Sequence, residues 1–338
     1  MNQKTTIGLL SPYLAPFNAY ELPASNLNVD LVVFAEYSVL WKTDQVNGLV
    51  WEGTNWVRKQ KPIPKGIYNR YYGEKLRVIT LLESRLGKNK VFNHITHFDK
   101  WKVHQTLSKS ALAPFLPAAE PYDPNDLVKF LDKYPRTIIK PTRGHLGNQI
   151  YLIEEEKQNY RIYRNTKYPV FTYRTKEEFF SRLEKIADSS FLMQQYLPLS
   201  RVEGRTFDLR FLVQKNGEGH WVISGVLSRL ALKYSYVTNL VHMIIPGETA
   251  LHESKLGRHV SISELEELSL KTAVVLETAF GSLGELSVDL GIDEQGHPWI
   301  IEVNGKPMKD MFKALDDSVL LRSVYETPLA YARFLARK

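Results

Sequence analysis

The feature that most constrains this chain lies near its C-terminal end, where residues 285–307 read ELSVDLGIDEQGHPWIIEVNGKP. Two apolar runs rich in Val, Leu and Ile flank the polar sequence DEQGHP, and this pattern predicts a β-hairpin with a polar turn. Three oxygen-bearing side chains interrupt the apolar runs: Asp289 in the first, and Glu302 and Asn304 in the second. Because side chains alternate across a strand, Glu302 and Asn304 share one face, and Asp289 on the neighbouring strand can reach that face.

This cluster of oxygens suits Mg²⁺, which binds a few protein oxygens and completes its coordination with water and phosphate. The alternative is a half-buried hairpin whose acids are only solvated on its outer face. The order Trp-Ile-Ile-Glu-Val-Asn at 299–304 favours the metal, because it indicates one buried face and one polar face. The sequence therefore predicts that Asp289, Glu302 and Asn304 bind Mg²⁺. Asp293, in the turn, is assigned to turn chemistry.

The composition predicts a folded protein with two or three compact lobes, since the 338 residues are 43% hydrophobic. No apolar run approaches the ~20 residues that span a bilayer, and the first residues lack the basic start and long apolar core of a signal peptide. We therefore expect a cytoplasmic protein with no membrane partner. The absence of cysteine excludes disulfides, thiolate metal sites and cysteine nucleophiles.

The formal net charge of +7 is compatible with a nucleic-acid partner or with an anionic small substrate such as a nucleotide. The basic residues are spread along the chain among acids, and they form no consecutive block. Nucleic-acid binding is therefore the least favoured interpretation, and no nucleic-acid partner is expected. Recognition of a polyphosphate needs only a few well-placed cations.

The pattern of apolar residues and chain breakers predicts an α/β fold that begins with a small α/β domain at residues 1–95. Residues 96–190 then contain the glycine loop, and residues 191–338 contain the hairpin. The tail from residue 317 has a helical pattern, and we expect it to pack on the outside. Strands are predicted at 7–10, 28–34, 136–140, 150–154, 191–197, 207–214 and 221–230, and helices at 74–86, 176–186 and 263–280, with another helix opening at Asp99.

The predicted strand that ends at Lys140 leads into the glycine-containing sequence PTRGHLGNQ at 141–149. Backbone N–H groups in such a loop can contact phosphate oxygens while the lysine supplies a point charge. The loop is not a Walker A loop, because it lacks a terminal Gly-Lys-Ser/Thr and no helix follows it. Taken alone, such a loop is more often an ordinary hairpin turn.

The order of these features, from about residue 92 to the end of the hairpin, resembles the ATP-grasp superfamily. The sequences IYNR at 67–70, DKW at 99–101 and IIEVNGKP at 300–307 are more narrowly similar to the YheC/YheD-like endospore coat-associated proteins, a branch of that superfamily. The resemblance implies an α+β ATP-grasp fold, in which an N-terminal pre-ATP-grasp α/β domain precedes two α+β lobes that enclose an ATP site.

The resemblance also implies roles for individual residues. Lys100 and Lys140 would contact the ATP phosphates, and the loop at 143–147 would cover them as a lid. The segment at 194–197 would join the two lobes and recognise the adenine edge through its backbone, with a side-chain hydrogen bond from one glutamine. Many members carry a carboxylate near this position, whereas this chain has glutamine. The residues concerned in the lid and the joining strand are Arg143, Gly144, Gly147, Gln194, Gln195, Tyr196 and Leu197.

On the same resemblance, the three hairpin residues would hold one or two Mg²⁺ ions. Arg210 would stabilise charge on the transferring phosphoryl group or on an acylphosphate, as its planar fork allows. Each residue taken singly has a plainer interpretation: Lys100 as a surface helix residue, Lys140 as a solvated cation at a strand end, and Arg210 as the partner of a strand acid. Their joint occurrence in this order favours the nucleotide site.

The implied activity is that of an ATP- and Mg²⁺-dependent ligase that joins a carboxylate to an amine or similar nucleophile, both small molecules, through an acylphosphate. Such a site works by positioning and charge neutralisation, so it needs no nucleophilic side chain. The alternative is a catalytically idle ATP-grasp scaffold that acts as an interaction protein of the spore coat. The branch name also implies possible spore-coat partners and a spore-coat location.

One departure from the pattern of the related ligases leaves open whether this protein turns over substrate. Related ligases such as glutathione synthetases carry a second glycine-rich segment after Asn-Leu, and here residues 239–247 read NLVHMIIPG. Met and Ile replace the paired glycines, so a loop at this position cannot approach a substrate in the same backbone conformation. Arg229 and Asn239 remain candidates for groups near the acceptor or the metal.

Overall fold

The computed structural model describes residues 4–144, 149–157 and 159–338. Within these ranges, three β-sheets follow one another along the chain. The first sheet has a parallel centre, in which β1 pairs with β2 and β6. It comprises β1 (Thr5–Leu10), β2 (Val29–Phe34), β3 (Val39–Leu40), β4 (Gln45–Trp51), β5 (Trp56–Pro62), β6 (Ile67–Asn69) and β7 (Val91–Phe92), with helices α1 (Glu21–Asn26) and α2 (Arg77–Leu86).

The second sheet is antiparallel along its length, in the order β12-β11-β10-β9-β13-β8. Helix α3 (Lys100–Leu107) precedes it in the chain. The sheet and its helices are β8 (Ala119–Pro121), α4 (Pro124–Lys133), β9 (Arg136–Pro141), β10 (Tyr151–Glu156), β11 (Asn159–Arg164), β12 (Pro169–Tyr173), α5 (Lys176–Leu183) and β13 (Phe191–Gln195).

The third sheet is also antiparallel and carries the hairpin from which the sequence analysis started. The strands of this sheet and the helices of the same region are β14 (Arg201–Val202), β15 (Arg205–Lys215), β16 (Trp221–Ala231), β17 (Val241–Ile245), α6 (Gly247–Glu253), α7 (Ile262–Phe280), β18 (Glu285–Ile292), β19 (Pro298–Asn304) and α8 (Ser318–Arg337). Short 3₁₀ helices lie at Asn18–Tyr20, Glu36–Ser38, Ala113–Phe115, Leu256–Arg258 and Lys309–Leu315.

The predicted hairpin is confirmed, with β18 and β19 as its strands. The register places Asp289 directly opposite Glu302 and Ser287 opposite Asn304, so the polar side chains do share one face. Asp293 organises the turn, because its Oδ1 accepts from the backbone N–H of Gln295 at 3.0 Å. The assignment of Asp293 to turn chemistry is therefore also confirmed.

The C-terminal helix α8 does not pack on the outside, as its sequence led us to expect. Val324, Leu329 and Ala332 are fully buried in a core that α8 shares with β1 of the first sheet and with β15 and β16 of the third. Gly66 shows how close the packing is, since a Cβ atom there would lie 1.9 Å from the carbonyl oxygen of Ala332. The apolar stripe of α8 packs into the groove between the two sheets, which removes that stripe from water.

Two segments pack in a different part of the fold from the one to which the predicted boundaries assigned them. Strand β13 begins just after residue 190, yet it pairs with β9 and β8 in the second sheet. Helix α3 falls within 96–190, but Val103 and Leu107 pack against α7 in the core of the third sheet. Hydrogen-bond ladders and apolar contacts, which are non-local, decide where each segment lies.

The segment at 239–247 is not a loop, contrary to the sequence interpretation. Residues 241–245 form β17, which pairs with β16 and places Ile244 opposite Arg229. The β-branched and apolar residues Val, Met and Ile favour this strand. Among the described residues, no helix combines the length and apolarity needed to cross a membrane.

Candidate functional site

A cleft lies between the second and third sheets. Strands β9 and β13 form one wall, and their side chains alternate between the core and the cleft. Ile139 is fully buried in the core, whereas Ile138 and Lys140 line the cleft. The register of the two strands places Gln194 opposite Ile138, so Gln194 also lines the cleft.

Lys140 is the most enclosed cation on this wall, with only 7% of its surface exposed. It has no ion pair or hydrogen bond within the part of the chain that the structure describes. Its pKa is lowered to about 8, mainly by burial; Glu302 partly opposes the change, and nearby Lys100 contributes to it. A buried ammonium without a direct partner is costly, so the cleft fits an anionic ligand.

Lys100 begins helix α3, directly after Asp99. The Asp99 side chain caps the helix by accepting from the backbone N–H of Lys102 at 3.0 Å. The Lys100 Nζ donates to the carbonyl oxygen of Gly144 at 3.0 Å and lies 3.3 Å from Glu302 Oε1. Lys100 thus links the helix to both the glycine loop and the hairpin.

The glycine loop is described as far as Gly144. Arg143 is half exposed and lies 2.6 Å from Glu74 and 3.3 Å from Asp99, so it holds the start of the loop against the first domain and α3. The predicted lid residue Gly147 lies outside the described residues.

The joining segment at 194–197 forms the end of the cleft. Gln195 is fixed to Ala118, because its backbone N–H donates to the Ala118 carbonyl at 2.8 Å and its Oε1 accepts from the Ala118 N–H at 3.3 Å. The guanidinium of Arg136 lies 4.1 Å from the ring centre of Tyr196. Of the two glutamines, Gln194 is thus the one whose side-chain amide is free of such a backbone bond and faces the cleft. Leu197 is buried and adds an apolar contact.

On the opposite side, three neighbouring strands carry four buried charges; Asp208, Arg229 and Asp289 line the cleft, and Arg210 lies behind them, outside its described lining. Asp208 and Arg210 lie on β15, Arg229 on β16 and Asp289 on β18, and the register pairs Asp208 with Arg229 and Arg210 with Asp289. Arg210 donates to both oxygens of Asp289, from Nε at 2.8 Å and from Nη2 at 2.7 Å. Arg229 donates to Asp289 Oδ2 at 2.8 Å and to Asp208 Oδ1 at 2.9 Å. The two carboxylates and two guanidiniums neutralise one another.

The ion pairs determine the protonation state of Asp289. Burial alone would raise its pKa, but Arg210 and Arg229 outweigh burial and hold the pKa below its usual range. A carboxylate offers about four lone-pair positions. Three are used by the arginines, which leaves one on Oδ1.

The predicted magnesium ligands can be compared with this geometry. Glu302 is partly exposed beside Lys100, and Asn304 lies opposite fully buried Ser287, whose Oγ has no hydrogen-bond partner among the described residues. Together with the remaining lone pair of Asp289 Oδ1, these groups offer a set of oxygens that fits Mg²⁺. Within the described ranges, no three acidic, histidine or cysteine side chains gather into one metal-binding group, so the third donor would be the amide of Asn304.

Sequence reasoning missed the residue that fastens the two walls together. The hydroxyl of Tyr236, from the loop before β17, accepts from the backbone N–H groups of Leu152 and Asn165 at 3.1 Å each. Burial raises the pKa of Tyr236 to about 12, so it stays a neutral hydroxyl. A tyrosine in a polar loop carries no signal of such a role. Asn239, a candidate from the sequence, does line the cleft.

Comparison with known proteins places these features in context. The family model described as YheC/D like ATP-grasp matches residues 88–335. The chain is 28% identical over 325 residues to the endospore coat-associated protein YheD of Bacillus subtilis (strain 168), covering 90% of this chain and 70% of that protein. It is 24% identical over 334 residues to the endospore coat-associated protein YheC of the same organism, covering 92% of this chain and 90% of that protein.

Solved structures with the same architecture share little sequence. N5-carboxyaminoimidazole synthetase from Staphylococcus aureus, complexed with ADP, superposes with a TM-score of 0.56 at 12% identity, covering 96% of this chain and 78% of that chain. The ATP-grasp ligase PsnB, complexed with a phosphomimetic variant of its minimal precursor, Mg and ADP, gives a TM-score of 0.50 at 13% identity, with 99% of each chain covered.

Proposed function

The chain belongs to the YheC/D-like ATP-grasp family, and from that premise we propose that it is an ATP- and Mg²⁺-dependent ligase, which joins a carboxylate to an amine or similar nucleophile. The α+β ATP-grasp fold predicted from the sequence is confirmed by the structural similarities. The activity is an inference from the site.

The observation that carries the proposal is the position of Lys140. Its ammonium is almost fully buried on the wall of a cleft, without an ion pair or hydrogen bond in the described chain. Lys100 lines the same cleft, and Glu302 lies near both cations. The arrangement suits a polyanion such as a nucleotide phosphate, because bound phosphate would neutralise the buried charge.

In the proposed complex, each side chain has one task. Lys100 and Lys140 hold the phosphates, and Arg143 and Gly144 begin the loop that covers them. Gln194 offers its amide to the adenine edge, alongside the backbone of residues 195–197. Two protein lobes that grip the nucleotide from opposite sides exclude water and fix the reacting groups.

Glu302, Asn304 and the free lone pair of Asp289 would hold Mg²⁺, which supplies charge neutralisation for phosphoryl transfer. The proposed reaction begins when a carboxylate oxygen of the first substrate attacks the γ-phosphorus of ATP. The bond to the β-phosphate oxygen breaks, ADP leaves, and an acylphosphate remains. The amine nitrogen then attacks the acyl carbon, the carbon–oxygen bond to phosphate breaks, and the amine loses a proton to solvent. Arg210, one hydrogen bond away from the metal ligand Asp289, would stabilise the developing charge.

A second candidate function is a catalytically idle ATP-grasp scaffold, which binds nucleotide weakly or not at all and acts as an interaction protein of the spore coat. It is favoured by the two arginines that engage Asp289 and by the strand β17, which occupies the position of the expected glycine-rich loop. The relatives YheD and YheC carry names that associate them with the endospore coat. On either function, we propose that this chain also associates with spore-coat proteins.

Calorimetric titration with ADP, with and without Mg²⁺, tests the proposal. We expect Lys140→Gln to weaken binding by at least about tenfold, or about 1.4 kcal/mol, whereas the exposed control Lys133→Gln should bind normally. Phosphate release from ATP is then measured on a panel of amino acids and peptides. Failure to bind nucleotide would end the ligase proposal and favour the scaffold. Binding without release on any acceptor, together with normal function of a Glu302→Gln variant in the host cell, would favour the scaffold.

A further inference from the structure

Strand β12 forms a free edge of the second sheet. It is the last strand in the order of that sheet, and β11 is its one strand partner among the described residues. No backbone group of Pro169–Tyr173 bonds to a described residue outside that pairing. A free edge presents unpaired backbone N–H and C=O groups, and these can pair with a strand from another chain.

The side chains of β12 do not protect this edge. Proteins commonly place charges on a free edge strand, whereas the sequence PVFTY has none. Four of the five residues are exposed, and they include the apolar side chains of Val170 and Phe171. Proline stands at the first position, where a strand tolerates the missing N–H group. The edge is therefore open to pairing along the rest of its length.

Two exposed tyrosines extend the apolar surface beyond β12. Tyr168, directly before the strand, is 59% exposed, and its ring lies edge-on to that of Tyr234, with 5.7 Å between the ring centres. The backbone N–H of Lys167 donates to the Tyr234 carbonyl at 2.8 Å, and the Lys167 Nζ lies 4.0 Å from the centre of the Tyr234 ring. Tyr234 belongs to the same loop as Tyr236, which lines the nucleotide cleft. The surface thus joins the second sheet to a loop of the third.

The chain segments that form this surface are positively charged. Residues 159–176 and 219–247 contain no acidic residue, and the next acids along the chain, at 177 and 178, lie in the first turn of α5. Glu154 and Glu156 neutralise Arg161. Three other cations are exposed and form no ion pair within the described ranges: Arg164, Lys167 and Arg174. The surface therefore attracts carboxylates.

We propose that the β12 edge surface, formed by residues 167–174 and Tyr234, binds an acidic segment of another polypeptide, which adds to β12 as a further strand. Backbone hydrogen bonds supply the pairing, Lys167 and Arg174 attract the acidic side chains, and the tyrosines contact apolar ones. Single-stranded nucleic acid also binds basic and aromatic groups, but it cannot continue the backbone hydrogen bonds of a strand. The surface lies outside the nucleotide cleft, so the proposal does not rest on the ligase activity.

Fluorescence anisotropy with labelled synthetic peptides tests this surface on the full chain. The probe is a short peptide of alternating Glu and Val. The matched control has the same sequence with every peptide nitrogen methylated, so it keeps the charge but cannot donate to a strand. We expect the probe to bind at least about tenfold more tightly than this control and than a peptide of alternating Lys and Val. Binding should also slow hydrogen exchange of the backbone amides within residues 170–173, because strand pairing protects them.

Two exposed side chains of the surface provide the variants. Lys167→Glu reverses a charge and Tyr168→Ala removes a ring, and we expect each to weaken the Glu-Val peptide by at least about tenfold. The control Lys133→Glu reverses another exposed lysine, at the end of α4, and should leave peptide affinity within about twofold. All three variants should keep the wild-type affinity for ADP, since none of these residues lines the cleft.

Equal affinity for the Glu-Val peptide and its methylated form, or wild-type peptide affinity in Lys167→Glu, would overturn the proposal. Tighter binding of a single-stranded oligothymidine than of the Glu-Val peptide would overturn it as well, and would assign the surface to nucleic acid. If Lys167→Glu fails to fold, as judged by its melting temperature, Arg174→Glu decides in its place. A chain that binds this peptide but no ADP would disprove the ligase function and leave the β12 edge surface supported.

Discussion

Arg210 and Asp289 lie directly opposite each other on neighbouring antiparallel strands, joined by two hydrogen bonds of 2.8 and 2.7 Å. The pair is almost completely buried, and Arg229 adds a third bond to the same carboxylate. The predicted metal ligand is therefore already oriented by arginines from two other strands. The carboxylate oxygen that keeps a free lone pair, Oδ1, is the one through which a cation could be bound.

Removal of one partner from this pair should be more harmful than removal of both. We expect Arg210→Met to lower the free energy of unfolding by about 3–5 kcal/mol, because Asp289 loses two of its three hydrogen bonds in a buried site. The double variant Arg210→Met, Asp289→Met should be less destabilised than the sum of the single changes. Urea denaturation of the four proteins measures the coupling. Additive losses would show that the two side chains act independently.

Glu302 should control the effect of magnesium on nucleotide binding. Glu302→Gln removes a proposed ligand of Mg²⁺ and also a negative charge beside Lys100. We expect the Mg²⁺-dependent gain in ADP affinity to fall by about tenfold, while the affinity without Mg²⁺ stays equal or improves. Calorimetry with and without Mg²⁺ separates the two effects. Glu294→Gln, in the exposed hairpin turn, is the control, and an unchanged magnesium effect in Glu302→Gln would exclude Glu302 as a ligand.

The protonation of Lys140 predicts a pH dependence. Its pKa, lowered by burial to about 8, means that the amine is charged below pH 8 and neutral above it. Attraction for phosphate is lost with the charge, so ADP affinity should weaken as the pH rises through 8, approaching about tenfold per pH unit. Dissociation constants measured between pH 7 and about pH 9.5 check this trend. Lys140→Arg stays charged throughout and should give a flatter profile; identical profiles would assign the pH effect to another group.

Asn93 should be among the most sensitive polar residues for stability. Its side chain is buried and bonds to Gly284, Glu285 and Gly305, all through backbone groups. Asn93→Ala leaves these groups without partners, and we expect a loss of about 3–5 kcal/mol in the free energy of unfolding. Urea denaturation measures this loss. The exposed Asn125→Ala should change stability by only about 0.5 kcal/mol, and a similarly small effect of Asn93→Ala would show that these bonds contribute little to stability.

The sequence predicted elements whose signals are local. The hairpin followed from alternation around a turn, and helix α3 from the capping residue Asp99, because each pattern lies within a few neighbouring residues. Strand β5 was missed, since its sequence WVRKQKP is mostly polar and becomes a strand only by pairing with β4. The buried position of α8 was missed for a similar reason, because the groove that receives it is formed by strands far away in the chain.

The residues of the candidate site also divide into those with a local sequence signal and those without one. The sequence order indicated Lys100 and Lys140, because each stands at the end of a recognisable element. It could not indicate that Arg210 and Arg229 both engage Asp289, since the register between strands depends on the whole sheet.

Helix α8 completes the core of the first sheet, although more than two hundred residues of chain separate β7 from it. On the ribosome, the first sheet is synthesised roughly 11–45 s before this helix emerges, at typical rates of elongation. During that interval the apolar face formed by Ile7, Leu9 and Tyr68 has no covering helix. The first sheet consequently cannot complete its core until helix α8 has been synthesised.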